Sequence, residues 1–128
     1  MQAMKNILLI NFLLEGLAGF TLIMMPHMLL MDLGQPPQSI AVSRLYGILA
    51  LVFAILSYQL YIRFEYTRLY KLVCLLIIAF HFVVSLYFYG LHQQYLTSSP
   101  GAFILHLAVS VLCLGLYLKD MNKFTVHE

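Results

Sequence analysis

Apolar residues run almost unbroken through four stretches of this 128-residue chain, at about residues 6–25, 40–62, 69–89 and 102–118. Each stretch is close to 20 residues, the length an α-helix needs to cross a hydrocarbon layer of ~30 Å. Backbone N–H and C=O groups must be satisfied within the segment in lipid, so the pattern predicts helices and not isolated strands. Breakers fall between the runs. Pro26 ends the first, Gly34-Gln35-Pro36-Pro37 precedes the second, and Gly90 ends the third. Ser98-Ser99-Pro100 announces the fourth with an N-cap and a proline near the first turn. The fold expected is all-α: one integral membrane domain over 1–128, a four-helix up-down-up-down bundle with short connections. The segment around 28–33, with Met, Leu and one Asp, suits an interfacial turn.

A second, sparser pattern lies on top of the first. Polar and small residues recur at helical spacing, which gathers them on one face per helix. Asn11, Glu15 and Gly19 follow i, i+4, i+8, with Gly16 beside them. Ser43, Gly47, Ala50, Ala54 and Ser57 make a small-residue face with Arg44 at its margin. Cys74, His81 and Ser85 align in the third run, and His106, Ser110, Cys113 and Tyr117 in the fourth. Small faces let membrane helices approach closely, so all four stripes should point into the bundle.

Each run therefore carries one ionisable residue: Glu15, Arg44, His81 and His106. An ionisable group at mid-span costs roughly 2.5–3.5 kcal/mol on insertion scales, which makes one per helix a shared interior site. Counting about 1.5 Å per residue puts Glu15 and His81 near the midplane and Arg44 and His106 about a turn inside the outer boundary. Two layers are expected, a Glu/His pair and an Arg/His pair. Arg44 is also placed to snorkel to head groups or to bridge helices. His81 alone reads as an interior packing histidine, and its match in depth with Glu15 is what makes it a site candidate. His27, His92 and His127 fall in loops or the tail.

Charge settles an orientation. The chain is 62% hydrophobic and 9% charged, far below the quarter usual in soluble domains. Lys5 precedes the first run, Arg63, Arg68 and Lys71 lie between the second and third, and Lys119 and Lys123 follow the fourth. The stretches 25–39 and 91–101 hold no Lys or Arg, so the positive-inside rule expects both termini in the cytoplasm. Tyr58, Tyr61, Tyr66 and Tyr70 on the inner side and Tyr87, Tyr89 and Tyr95 on the outer form aromatic belts. The start of the chain superficially resembles a signal peptide, but Glu15 interrupts its apolar core and no A-x-A-like cleavage site follows, so a retained helix is expected. No long basic run is present, which argues against nucleic acid as a partner.

No metal site is expected. Cys74 and Cys113 lack C-x-x-C spacing and read as interior packing residues. Met24, Met25, Met28 and Met31 read as interfacial packing, because thioether sites need convergent geometry. Haem ligated by His81 and His106 is disfavoured by their offset of about one turn, ~6 Å.

Leu14-Glu15-Gly16-Leu17-Ala18-Gly19, then Pro26, Leu33-Gly34 and Arg44-Leu45-Tyr46-Gly47, resemble small membrane proteins of the DoxX-like superfamily. A glycine-rich first helix, a proline and an Arg-x-x-Gly near the start of the second helix recur in that group. The resemblance implies a four-helix membrane bundle in a bacterial inner membrane. Some relatives are linked to quinone-coupled sulfur oxidation and others to assembly of membrane partners. Gly16, Gly19, Arg44 and Gly47 carry the match; the histidines do not, and no catalytic residue transfers.

Three functions fit these residues. The first is a bundle that binds a small hydrophobic molecule, quinone- or lipid-like, with Glu15, Arg44, His81, His106, Asn11 and Tyr46 at its polar end. The second is an accessory or assembly subunit of a larger membrane complex, or a homo-oligomer, with structural polar residues. The third is a proton-coupled transporter, ranked last because the Lys/Arg asymmetry is strong and the chain holds no Trp to stack a cationic substrate. No cofactor is identified, and whether a reaction is catalysed is left open.

Overall fold

A computed structural model of the chain describes residues 2–26, 37–94 and 100–121. Among these residues the fold is all-helical: α1 (Ala3–Met24), α2 (Pro37–Ile62), α3 (Arg68–Gln93) and α4 (Gly101–Asp120). All four are long and apolar enough to cross a membrane, the make-up of a multi-pass membrane protein. Leu17, Val42, Leu69, Val83, Tyr87 and Val111 are among the many large apolar side chains on the outer surface. In water such a surface would be a massive unpartnered patch; against acyl chains it is the ordinary exterior.

The helices outrun the apolar blocks. α1 starts at Ala3, because the chain ahead of the expected start at residue 6 includes Met4, which is buried. α2 begins at Pro37, a residue well suited to a first turn. α3 runs through Gly90 to Gln93, so that glycine is not a terminator; a Cβ there would meet nothing within 4 Å. Pro100 itself occupies the N-cap of α4, where Ser98 or Ser99 was expected to supply a cap. The expected turn at 28–33, together with Met28, Met31, His27, His127 and Tyr95, lies outside the described residues.

α1 packs most extensively on α2, α3 on α4, and α1 also lies along α4. Numbers fall along α2 as they rise along α1: Asn11 meets Ser57, Gly16 faces Ala54, and Gly19 abuts Gly47. At the last crossing the backbones nearly touch. A Cβ on Gly19 would sit 2.7 Å from the Gly47 carbonyl oxygen, and one on Gly47 would sit 2.9 Å from that of Gly19. This is the close approach that small residues permit. In α3 and α4, Tyr89 meets Phe103, His81 meets His106, and Ile78 meets Ser110.

The densest core sits toward the N-terminal end of α1, where Met4, Ile7, Leu8, Tyr70, Cys74, Ile78, Cys113 and Tyr117 pack together. Both cysteines are free and buried there, as packing residues. Asp120 closes this end: its Oδ2 accepts from the Met4 backbone N–H at 2.9 Å and from the Tyr66 hydroxyl at 3.1 Å. The Met4 N–H is one of the donors that the first turn of a helix leaves without an intrahelical acceptor. Tyr70 donates to the Arg63 carbonyl at 2.7 Å, and Lys5 lies over the Tyr61 ring, 4.6 Å from its centroid. These contacts tie the start of α1, the turn between α2 and α3, and the end of α4 into one base.

Candidate functional site

Above that base the buried polar groups converge. The same i, i+4, i+8 face that buries Gly19 against α2 buries Asn11 and Glu15, each 3% exposed. Asn11 Nδ2 donates to Ser57 Oγ of α2 at 2.7 Å. Its Oδ1 lies 3.0 Å from Nε2 of His81, which is wholly buried in α3. Nδ1 of His81 in turn lies 2.9 Å from Nδ1 of His106 in α4. Four helices thus contribute to one line of hydrogen bonds, Ser57–Asn11–His81–His106.

The line fixes the proton positions. With Asn11 Nδ2 spent on Ser57, its Oδ1 is an acceptor, so His81 Nε2 must carry the hydrogen. Neutral His81 then offers Nδ1 as an acceptor, and His106 donates from its own Nδ1–H. One amide orientation on α1 therefore sets both imidazole tautomers. Aromatic rings wall the pair: Phe80 meets His81 edge-on at 5.3 Å between centroids, and Phe88 stacks on His106 at 6.0 Å.

Glu15 completes the cluster. One carboxylate oxygen and one nitrogen from each histidine lie within 4.8 Å of one another. Yet Glu15 Oε1 is buried without a hydrogen-bond partner among the described residues. A buried acceptor in that condition carries a desolvation penalty of about 1–3 kcal/mol, more when charged.

Beside the cluster, α2 and α3 stand apart and leave a cavity of about 390 Å³. Phe53, Leu56 and Leu60 line it from α2, and Val73, Leu76, Ile77 and Phe80 from α3, with Asn11 and Ser57 as its polar residues. The Phe53 and Phe80 rings stack across it at 6.0 Å. Phe80 thus borders both the cavity and His81.

Four of the six sequence candidates meet here: Asn11, Glu15, His81 and His106. The expected separation into a midplane pair and an outer pair does not hold, because the two histidines are hydrogen-bonded. The reason lies in side-chain reach: the His106 ring stacks on Phe88 while its Nδ1 extends to His81, seven residues earlier in α3, which closes an axial offset of about a turn. Direct Nδ1–Nδ1 contact at 2.9 Å also leaves no space for a porphyrin, whose two axial nitrogens stand about 4 Å apart on opposite sides of the iron.

Arg44 does not join the cluster. It is exposed and makes no ion pair among the described residues, on a part of α2 roughly 15 Å along the axis from Ala54, which faces Gly16. Tyr46 stands at the margin, 41% exposed. Asp120, by contrast, is a structural residue that the sequence pattern passed over. A lone acid at the end of the last apolar run reads as a solvated terminus, and only the orphan donors at the start of α1 hint at its partner.

No family model, no curated protein and no solved structure matches this chain.

Proposed function

We propose that this chain is a small multi-pass membrane protein that binds one hydrophobic molecule with a hydrogen-bond-accepting head, quinone- or lipid-ester-like, in the cleft between α2 and α3. The observation that carries this reading is the apolar cavity of about 390 Å³ with Asn11 and Ser57 as its polar members. Its size falls within the range of pockets that take small ligands, and its composition is the usual one, mostly apolar with a few placed polar groups. Asn11 uses one amide hydrogen on Ser57 and its carbonyl on His81. The second Asn11 amide hydrogen and the Ser57 hydroxyl hydrogen are left for a ligand, and both are donors. A carbonyl-bearing head group is the complement.

In the same reading the bundle is up-down-up-down in a bacterial inner membrane with both termini cytoplasmic, on the strength of the Lys/Arg distribution. The DoxX-like resemblance is compatible with this, although Gly19 and Gly47 have a packing reason of their own at the α1–α2 crossing. Glu15 and the histidine pair lie behind Phe80 and couple to the ligand through Asn11.

Titration of the purified protein in detergent with a short-chain benzoquinone, followed by calorimetry, tests the proposal. Saturable one-to-one binding is expected, abolished by Val73→Trp, which fills the cleft, with helix content unchanged. Equal binding by wild type and Val73→Trp would reject the site.

A further inference from the structure

We infer that Glu15, His81 and His106 form a binding site for a divalent first-row transition metal ion, with Asn11 as the positioning residue behind it. This goes beyond the hydrophobic-ligand reading and does not depend on it. Two imidazoles and one carboxylate from three different helices present one donor atom each within 4.8 Å. That donor set suits zinc or ferrous iron, and it leaves coordination positions open.

The local geometry is specific. Metal–imidazole bonds of about 2.0–2.1 Å at an N–metal–N angle of 90° place the two nitrogens about 2.9 Å apart. The His81 and His106 Nδ1 atoms are 2.9 Å apart. The pair thus matches adjacent positions of a five- or six-coordinate ion, and the Glu15 carboxylate, within 4.8 Å, is near enough to close onto a third. A tetrahedral ion would need the nitrogens about 0.4 Å further apart.

The surroundings match what a metal-ligating histidine needs. Such a histidine donates its distal N–H to a carbonyl or carboxylate, which fixes the ring and its tautomer. His81 does so: Nε2–H points to Asn11 Oδ1 at 3.0 Å, and Asn11 is itself anchored on Ser57 at 2.7 Å. The arrangement holds Nδ1 free of hydrogen and aimed at its neighbour. Without an ion, one proton must sit between the two Nδ1 atoms. Binding moves that proton from Nδ1 to Nε2 of His106, a tautomer change with no net loss of a proton from the pair.

A second observation points the same way. Glu15 is more than nine-tenths buried, and its Oε1 has no hydrogen-bond partner among the described residues. A cation among these three donors would give the buried carboxylate a partner. It would also explain why a carboxylate stands beside two imidazoles in hydrocarbon without being close enough to hydrogen-bond to either.

Cobalt(II) alone is the probe. Detergent-purified full-length protein, stripped with a chelator and dialysed, is titrated with Co²⁺ and followed by absorbance and by elemental analysis. One equivalent is expected to bind, with the weak visible d–d bands of a five- or six-coordinate ion, and to be displaced by Zn²⁺. Asn11→Leu should weaken binding about 10–100-fold. Glu15→Gln and His106→Asn should weaken it further, and a combined His27→Ala, His92→Ala, His127→Ala variant should bind as wild type does. Where a substitution disturbs folding, ¹⁵N-histidine NMR of the unaltered protein decides: Zn²⁺ must move the Nδ1 resonances of two histidines that persist in the triple variant. Absence of stoichiometric Co²⁺ binding by wild type, or unchanged binding by Glu15→Gln, or no Zn²⁺-dependent Nδ1 shift, overturns the site.

Discussion

Gly19→Ala tests the α1–α2 crossing on which the whole polar line depends. The added Cβ would stand 2.7 Å from the Gly47 carbonyl oxygen and 2.9 Å from the Leu51 backbone nitrogen. Both are main-chain atoms, so no side chain can rotate out of the way, and ordinary contact requires the helices to separate by about 0.5–0.7 Å. Overpacking of this kind costs typically 1–3 kcal/mol. Replacing glycine by alanine inside a helix returns about 0.5–1 kcal/mol, so a net loss of roughly 1–2 kcal/mol is expected. Gly16→Ala and Gly90→Ala are the internal controls. The first meets only the Ala54 Cβ at 3.7 Å, and the second meets nothing within 4 Å. Both should be neutral or stabilising by up to about 1 kcal/mol. Reversible unfolding in mixed micelles with increasing dodecyl sulfate, followed by circular dichroism, compares the three. A Gly19→Ala protein as stable as Gly16→Ala would refute the close crossing.

Further tests address the other parts. Asn11→Leu removes the acceptor for His81 Nε2–H and the donor to Ser57, and should destabilise by about 1–3 kcal/mol. The same variant should mix the His81 tautomers in ¹⁵N NMR, whereas a ring held by packing alone would keep a single form. Asp120→Ala strips the Met4 N–H and the Tyr66 hydroxyl of their shared acceptor. A loss of about 1.5–3 kcal/mol is expected for bonds to a charged group, together with faster hydrogen exchange in the first turn of α1; unaltered exchange there would count against the clasp. Arg44→Gln, at an exposed position without an ion pair among the described residues, should change stability by no more than about 0.5 kcal/mol. A loss of several kcal/mol would show that Arg44 is bound into the interior.

Much of the architecture is legible in the chain because lipid leaves few choices. Twenty apolar residues must be a helix, and scarce polar or small residues at helical spacing must face inward. Asn11, Glu15 and Gly19 are buried together for that reason, as are Cys74, His81 and Ser85. What sequence spacing does not contain is how far a side chain reaches along its neighbouring helix. The His106 ring stacks on Phe88 and still meets His81, seven residues away on α3. Arg44 fails for the opposite reason: it shares a helix with the small-residue face but lies at its margin, and a one-position offset turns a side chain by about 100°. The cleft between α2 and α3 is a gap, and a gap has no sequence pattern of its own.

The flank of that cleft carries a consequence for how occupancy is counted. Phe53, Leu56 and Leu76 line it and are at the same time among the outward-facing apolar side chains. The ligand proposed above would therefore arrive sideways from the acyl-chain layer and not from bulk water. Occupancy then follows the mole fraction of the ligand in the surrounding lipid or detergent, since that is the phase in equilibrium with the site. Doubling the amount of lipid at fixed total ligand dilutes the occupant as effectively as halving the ligand itself. An affinity quoted per litre of buffer would drift with every preparation, while one quoted per mole of lipid would stay constant.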